Sequence, residues 1–207
     1  MSTTEHAPDA EVHPPTDPGV TSEVEDLAQQ IADQVESFLL ALQAIARGDA
    51  GGRAIPLLLL EVSQVLLAGA RLGVQTDFEP VEEFQPDAGP DPDLDELRLR
   101  LATLLDGVDD YTEVFDPYVH PPEPITTRLS DDLSSVAAAL AHGLRHFRAG
   151  RTSEALWWWQ FSYVSAWGAE ASAALRALQS VVAHDRLDHD LEGESEQVAA
   201  AEEMLES

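Results

Sequence analysis

Glu170 and Gln160 lie within or beside the apolar side of a run, Glu154 to Val182, that holds all four tryptophans. A carboxylate buried there would carry a raised pKa and could move a proton. Tyr163 on the same run and Glu61 from an earlier apolar stretch complete the set from which an acid–base site could be assembled. The structural alternative is that Gln160 and Glu170 hydrogen-bond to neighbouring backbone or bend outward at the margin of the stripe. His142 and His146 stand four apart, a spacing that can hold a metal on one helix face. No glutamate adjoins them and no third ligand is evident, so they read as solvated histidines. Asp106, Asp109, Asp110, Glu113 and Asp116 invite a cation, but their spacing is not that of an EF-hand and no glycine falls where that loop needs one. They read as helix caps or solvated acids, as His184 and His189 read as solvated side chains among carboxylates.

The chain has no cysteine, which removes thiolate chemistry. Neither a nucleophile–base pair nor a phosphate-cradling glycine loop is present. The expectation is therefore no enzyme, no metal and no cofactor, with Glu170 as the centre of any site assembled from distant residues. The residues that suit binding are different ones. Trp158 falls among polar positions on the helical wheel, and Phe161 follows it by one turn. Either a flanking helix covers Trp158, or it anchors a partner, a common use of tryptophan at interfaces. Arg145, Arg148 and Arg151 form the only basic cluster. They suit a helix C-terminus or the docking of an acidic segment or small anion.

These residues need helices to position them. Stepping 100° per residue places Leu156, Trp157, Tyr163, Val164, Trp167, Ala171, Ala174, Leu175, Leu178, Val181 and Val182 on one side of a single helix, with Ser162, Ser165, Ser172, Arg176 and Gln179 opposite. Gly168 suggests close approach of another helix there. Ser22-Glu-Val-Glu25 reads as a capping box opening a first helix with an apolar stripe from Val24 to Ile45. A second follows, with Pro56 in its opening turn and leucines all round, the pattern of a helix packed on several sides. The predicted helices lie near 22–47, 54–73, 94–106, 127–149 and 153–183. Thr126 or Thr127 would open the fourth, and Thr152 or Ser153 would cap the fifth. The short connection at Gly150 forces those two helices antiparallel, leucine stripe against tryptophans. The fold class is all-α: an antiparallel bundle of about five helices over 21–183, with a Pro- and acid-rich connection over 76–93. An acidic tail at 1–20 is expected to be disordered, and one at 184–207 largely so, with some helix from Ser195 to Leu205.

The formal charge is −28, with 39 acidic residues against 11 arginines and no lysine. Such a surface repels phosphate backbones, so direct nucleic-acid binding is not expected. The start lacks a basic and apolar leader, and the run Ala54 to Leu60 is too short to span a bilayer. A soluble, cytoplasmic protein without membrane contact is expected.

Several segments together resemble a bacterial family of domains of unknown function common in GC-rich Gram-positive bacteria. They are Leu57 to Leu66, Asp110-Tyr111 with Phe115-Asp-Pro117, Asp131-Asp132-Leu133, Glu154-Ala-Leu-Trp157, Trp167-Gly168 and Ala174-Leu-Arg-Ala-Leu178. They span Val24 to Val182. Family members often carry a histidine just before or just after the Trp-Gly pair, where this chain has Ala166 and Ala169, which argues against chemistry at that point. The resemblance implies an all-helical domain without an established activity, and a gene setting beside recombinational repair. The expected function is a non-enzymatic interaction or accessory module. Its partner would be a protein, a second copy of the chain included. An acidic competitor for a basic nucleic-acid-binding protein is the alternative, and an enzyme built around Glu170 the third reading.

Overall fold

The computed structural model describes residues 21–81 and 94–206, with side chains as far as 187. The helices are α1 (Ser22–Ala46), α2 (Ala54–Gly73), α3 (Asp95–Leu104), α4 (Leu129–Arg148), α5 (Thr152–Ser162) and α6 (Gly168–Glu206), with strands β1 (Asp110–Glu113) and β2 (Ile125–Arg128) between α3 and α4. The all-α expectation holds, since the only sheet among the described residues is this two-stranded hairpin. The expected tail over 1–20 and most of the 76–93 connection lie outside the described residues. At the other end, the backbone of α6 continues as helix to Glu206, past the boundary expected near 183.

α1 and α2 run antiparallel. Gln34 Nε2 donates to Gln64 Oε1 at 3.1 Å, and Arg71 donates to Gln30 Oε1 at 2.6 Å. α4 and α5 are antiparallel across the turn at Gly150, whose φ of 74° favours glycine. The leucine stripe of α4 meets the tryptophans as expected: Trp158 and Trp159 donate their indole N–H groups to the Ala139 and Leu140 carbonyls at 2.9 and 3.0 Å. Trp159 lies so close to the α4 backbone that a Cβ on Gly143 would collide with its indole nitrogen. Phe38, Leu42, Leu58, Leu72, Leu140, Trp159 and Trp167 are all buried in one core.

The tryptophan run is not one regular helix. Between α5 and α6, Tyr163–Trp167 forms a π-helical segment. A π turn inserts one extra residue, so the buried stripe jumps by about 100° there. Ahead of it, Ala155, Leu156, Trp159 and Ser162 face inward; behind it, Trp167, Ala171, Ala174 and Leu178 do. A continuous wheel misplaces the residues at the join. Val164, expected inside, is 75% exposed, and Ser162, expected outside, is 5% exposed. Gly168 is required by the same turn. A Cβ there would strike the Tyr163 carbonyl and ring, so the close approach is by its own helix and not by another. Tyr163 in turn packs on α2, where a Cβ on Gly69 would lie 2.5 Å from its ring.

Three expected caps are absent. Thr21 is the N-cap of α1, without a side-chain cap hydrogen bond, so Ser22–Glu25 is not a working capping box, and Arg151 precedes α5 likewise. Thr126 and Thr127 sit in β2, and α4 starts at Leu129. Asp109 caps that start from across the hairpin, accepting from the Ser130 amide and hydroxyl, both at 2.8 Å. α2 packs against α1, α5 and α6, several sides as expected, and leaves one face open. Its inner positions, such as Leu58, Val62, Val65 and Leu72, are buried, while Leu60, Leu67 and Val74 are 49%, 64% and 81% exposed. The helical stretch Gly51–Gly73, at mean hydropathy 1.6, has the length and composition to cross a membrane.

Candidate functional site

The α4–α5 hairpin carries a file of rings leading from the interior to the surface. His146, fully buried, has its ring centroid 5.1 Å from that of His142; His142 lies 4.1 Å from Trp158. Trp158 is 6.1 Å from Trp157, and Trp157 stacks on Phe161 at 5.2 Å with their planes within 3°. The spacing follows from the helices: 142 and 146 are one turn apart on α4, and 157 and 161 one turn apart on α5. The outer end is Phe161, 52% exposed; Val164, three residues further along the chain, is exposed as well.

Trp158 is half-buried under α4, its indole satisfied by Ala139 and its ring face taken by His142. This agrees with its coverage by a flanking helix, and corrects its assignment as the outward anchor. The outer aromatic pair is Trp157, half-buried, and Phe161, exposed. The arginines are not an open basic patch either: Arg148 pairs with Glu36 of α1, and Arg145 contacts His142 Nδ1 at 2.9 Å. Arg151 is partly buried at the start of α5. His146 is not solvated. Neither ring nitrogen has a hydrogen-bond partner, and burial foremost, then the neighbouring His142, lowers its pKa below 6.5.

The buried polar candidates do not converge. Gln160 closes the end of α2, donating to the Leu72 carbonyl at 3.0 Å and accepting from the Phe78 amide at 2.8 Å. Glu61 lies eleven residues before Leu72 on the same helix, about 16 Å away along its axis. Its Oε2 is buried without a partner and burial raises its pKa. Glu170 instead lies near enough to Tyr111 and Asp132 for its carboxyl to help raise the pKa of both. Its Oε2 is also buried and unpartnered. Gln160 and Glu61 thus serve separate places, and Tyr163 is occupied in packing.

Sequence reasoning missed the second polar locality, a cleft of about 590 Å³ between β1 and α6. Tyr111 donates to Asp132 Oδ2 at 2.7 Å, and Thr127 donates to the same carboxylate at 3.2 Å. Burial raises the Asp132 carboxyl while these two hydrogen bonds draw it down; burial and Asp132 raise the Tyr111 phenol, which stays protonated as the donor. Glu113, almost enclosed, pairs with Arg176 of α6 at 3.2 Å. Asp110 pairs with Arg128, its partner in the strand register. Of the acids that suggested a cation, Asp109 and Glu113 fasten the hairpin to α4 and α6, Asp110 pairs within the hairpin, and Asp116 turns back to the Tyr118 amide. No group of three or more potential metal ligands gathers among the described residues. A signal was available: Asp110-Tyr111, Asp131-Asp132 and Ala174-Leu-Arg176, three segments that carried the family resemblance, meet here.

Fold and site together define a helical bundle clasped by a short hairpin, with one aromatic face open. Over residues 22–184 the chain matches the family described as domain of unknown function DUF5063, and it belongs to that family. No curated protein matches it. Among solved structures it is similar to the crystal structure of protein BF1032 from Bacteroides fragilis, at 17% identity and a TM-score of 0.61, over 76% of this chain and 92% of that one. At that identity the likeness concerns the fold alone.

Proposed function

We propose that the protein is a non-enzymatic accessory module of the cytoplasm that binds a protein partner through Trp157, Phe161 and Val164. The observation that carries this reading is the coplanar Trp157–Phe161 stack at the outer end of the ring file, beside the outward Val164. Stacked rings held by a rigid helix lose little conformational freedom on binding, which is why aromatic side chains recur as anchors. The charge of −28 selects the partner's chemistry. An apolar groove rimmed by arginine or lysine would be drawn toward this surface and away from other acidic proteins. Basic proteins that handle nucleic acid have that character, in keeping with the repair-linked setting the family resemblance implies. The acidic-competitor reading shares the partner class but places the affinity in charge alone.

Affinity purification from cells expressing wild type, Phe161→Ala and Trp157→Ala tests the proposal. A specific partner should fall at least tenfold in recovery with either variant and persist at raised salt. Recovery equal to wild type overturns the aromatic anchor. Recovery that ignores the variants but collapses with salt favours the acidic competitor.

A further inference from the structure

α2 carries two apolar stripes, and the bundle uses one. The outer stripe is Pro56, Leu60, Ser63, Leu67 and Ala70, continued by Val74 at the C-cap in helical conformation, all exposed. Their separations are four, three, four, three and four residues, the repeat of a helix that pairs with another helix along a seam. Large and small residues alternate along it, with Leu60, Leu67 and Val74 at one heptad position and Pro56, Ser63 and Ala70 at the other.

From this pattern we infer that the outer face of α2 is a self-association surface, on which a second copy of the chain docks antiparallel about a two-fold axis near residue 65. In that arrangement each residue meets the one whose number sums with its own to 130. Leu60 falls opposite Ala70 of the second copy, Leu67 opposite Ser63, and Val74 opposite Pro56. Every large side chain then enters the space left by a small one, the self-complementarity an isologous interface requires. A parallel pair would set Leu67 against itself and Ser63 against itself, leaving gaps between bulges. Ser63 can be covered without an orphaned hydroxyl, because its Oγ donates to the Leu59 carbonyl at 2.7 Å.

Charge favours the same occupant. Two copies carrying −28 repel wherever carboxylates meet. α2 contains one acidic residue, Glu61, and it lies off the outer stripe. The polar rim toward α1 is Gln64 with Gln34, and Arg71 with Gln30, both already hydrogen-bonded. A cationic partner would gain little from this face, whereas an acidic copy meets less repulsion here than where carboxylates face one another. The inference is independent of the aromatic face on α5.

Sedimentation of the full chain over a range of concentrations and salt tests it. The expected result is a dimer whose population rises with salt, as residual repulsion between copies is screened. Leu67→Glu and Ser63→Leu should each weaken self-association at least tenfold, the first by charge and the second by filling the space opposite Leu67. Both positions are exposed, and unchanged circular dichroism confirms folding. The chain has no cysteine of its own, so orientation is read by oxidation: Leu60→Cys mixed with Ala70→Cys should cross-link to the heterodimer, and neither alone. A monomer at every concentration, or a dimer indifferent to both substitutions, overturns the inference. So does flotation of wild type, lost in Leu67→Glu, with neutral phosphatidylcholine vesicles while the protein in solution stays monomeric, which would assign the stripe to a lipid surface.

Discussion

α5 and α6 are one rod interrupted by a π turn, yet their two halves treat side chains differently. Ahead of the turn the rod buries bulk and polarity together: Trp159, Gln160, Ser162 and Glu154 are all inside, and the polar atoms have partners in Leu72, Phe78, Trp158 and Val81. Behind it the inward residues are mostly small, Ala171, Ala173 and Ala174, and α2 comes close. The lesson is that the extra residue lets Trp159 and Trp167 share one core although eight residues separate them, a spacing that would diverge by about 80° in a regular helix. The same offset leaves Val164 outside, on the side where Phe161 already stands exposed.

The largest way to break this contrast is to exchange the expected burdens. Trp159→Ala should cost about 3–5 kcal/mol in urea denaturation, the range for a fully buried tryptophan. Val164→Ala should stay within about 0.5 kcal/mol, as an exposed site does. Equal costs would return both residues to one continuous wheel. Next in size is Gly168→Ala. Its Cβ has no room beside Tyr163, so a loss of about 1–3 kcal/mol is expected, together with a changed near-ultraviolet signal from Tyr163 and Trp167. Gln160→Ala sharpens the contrast by orphaning the Leu72 carbonyl and the Phe78 amide, at about 1–3 kcal/mol. Hydrogen exchange should report the loosening at the end of α2.

The smallest effect concerns pH. The folded pKa of His146 is depressed, so the unfolded chain takes up that proton first, below its ordinary 6.5. Stability supplied by the neutral ring is present above 6.5 and is lost as pH falls toward the folded value. The raised Glu61 and Asp132 carboxyls act in the opposite sense, favouring the folded state as pH falls through their folded values toward the ordinary carboxylate range. Comparing wild type with His146→Phe isolates the histidine: the variant should lose less stability between pH 7 and 5, by thermal melting.

Much of the bundle is legible in sequence because apolar periodicity survives packing. The stripes of α1 from Ile31 to Ile45 and of α4 from Leu129 to Leu144 are buried as the spacing predicts. What escapes is whatever depends on distant chain. Asp109 caps α4 from across a hairpin whose strands are separated by Val114–Pro124, so no local rule links them. His146 lies on the face a wheel makes polar, but α5 packs there as well. A wheel sets Trp158 among polar positions likewise, because it cannot show that α4 lies over that side. The π turn is hidden because any wheel assumes a constant step. Gly168 was the visible trace, read as room for a neighbouring helix when it makes room for Tyr163 of its own.

The most direct measurement places a single cysteine at each of two sites in this cysteine-free chain and follows maleimide labelling under native conditions. If the register jumps at Tyr163–Trp167, Val164→Cys reacts near the rate of a free thiol and Ser162→Cys is protected by at least tenfold. The reverse order, with position 162 reactive and 164 shielded, would contradict the account and restore the unbroken helix.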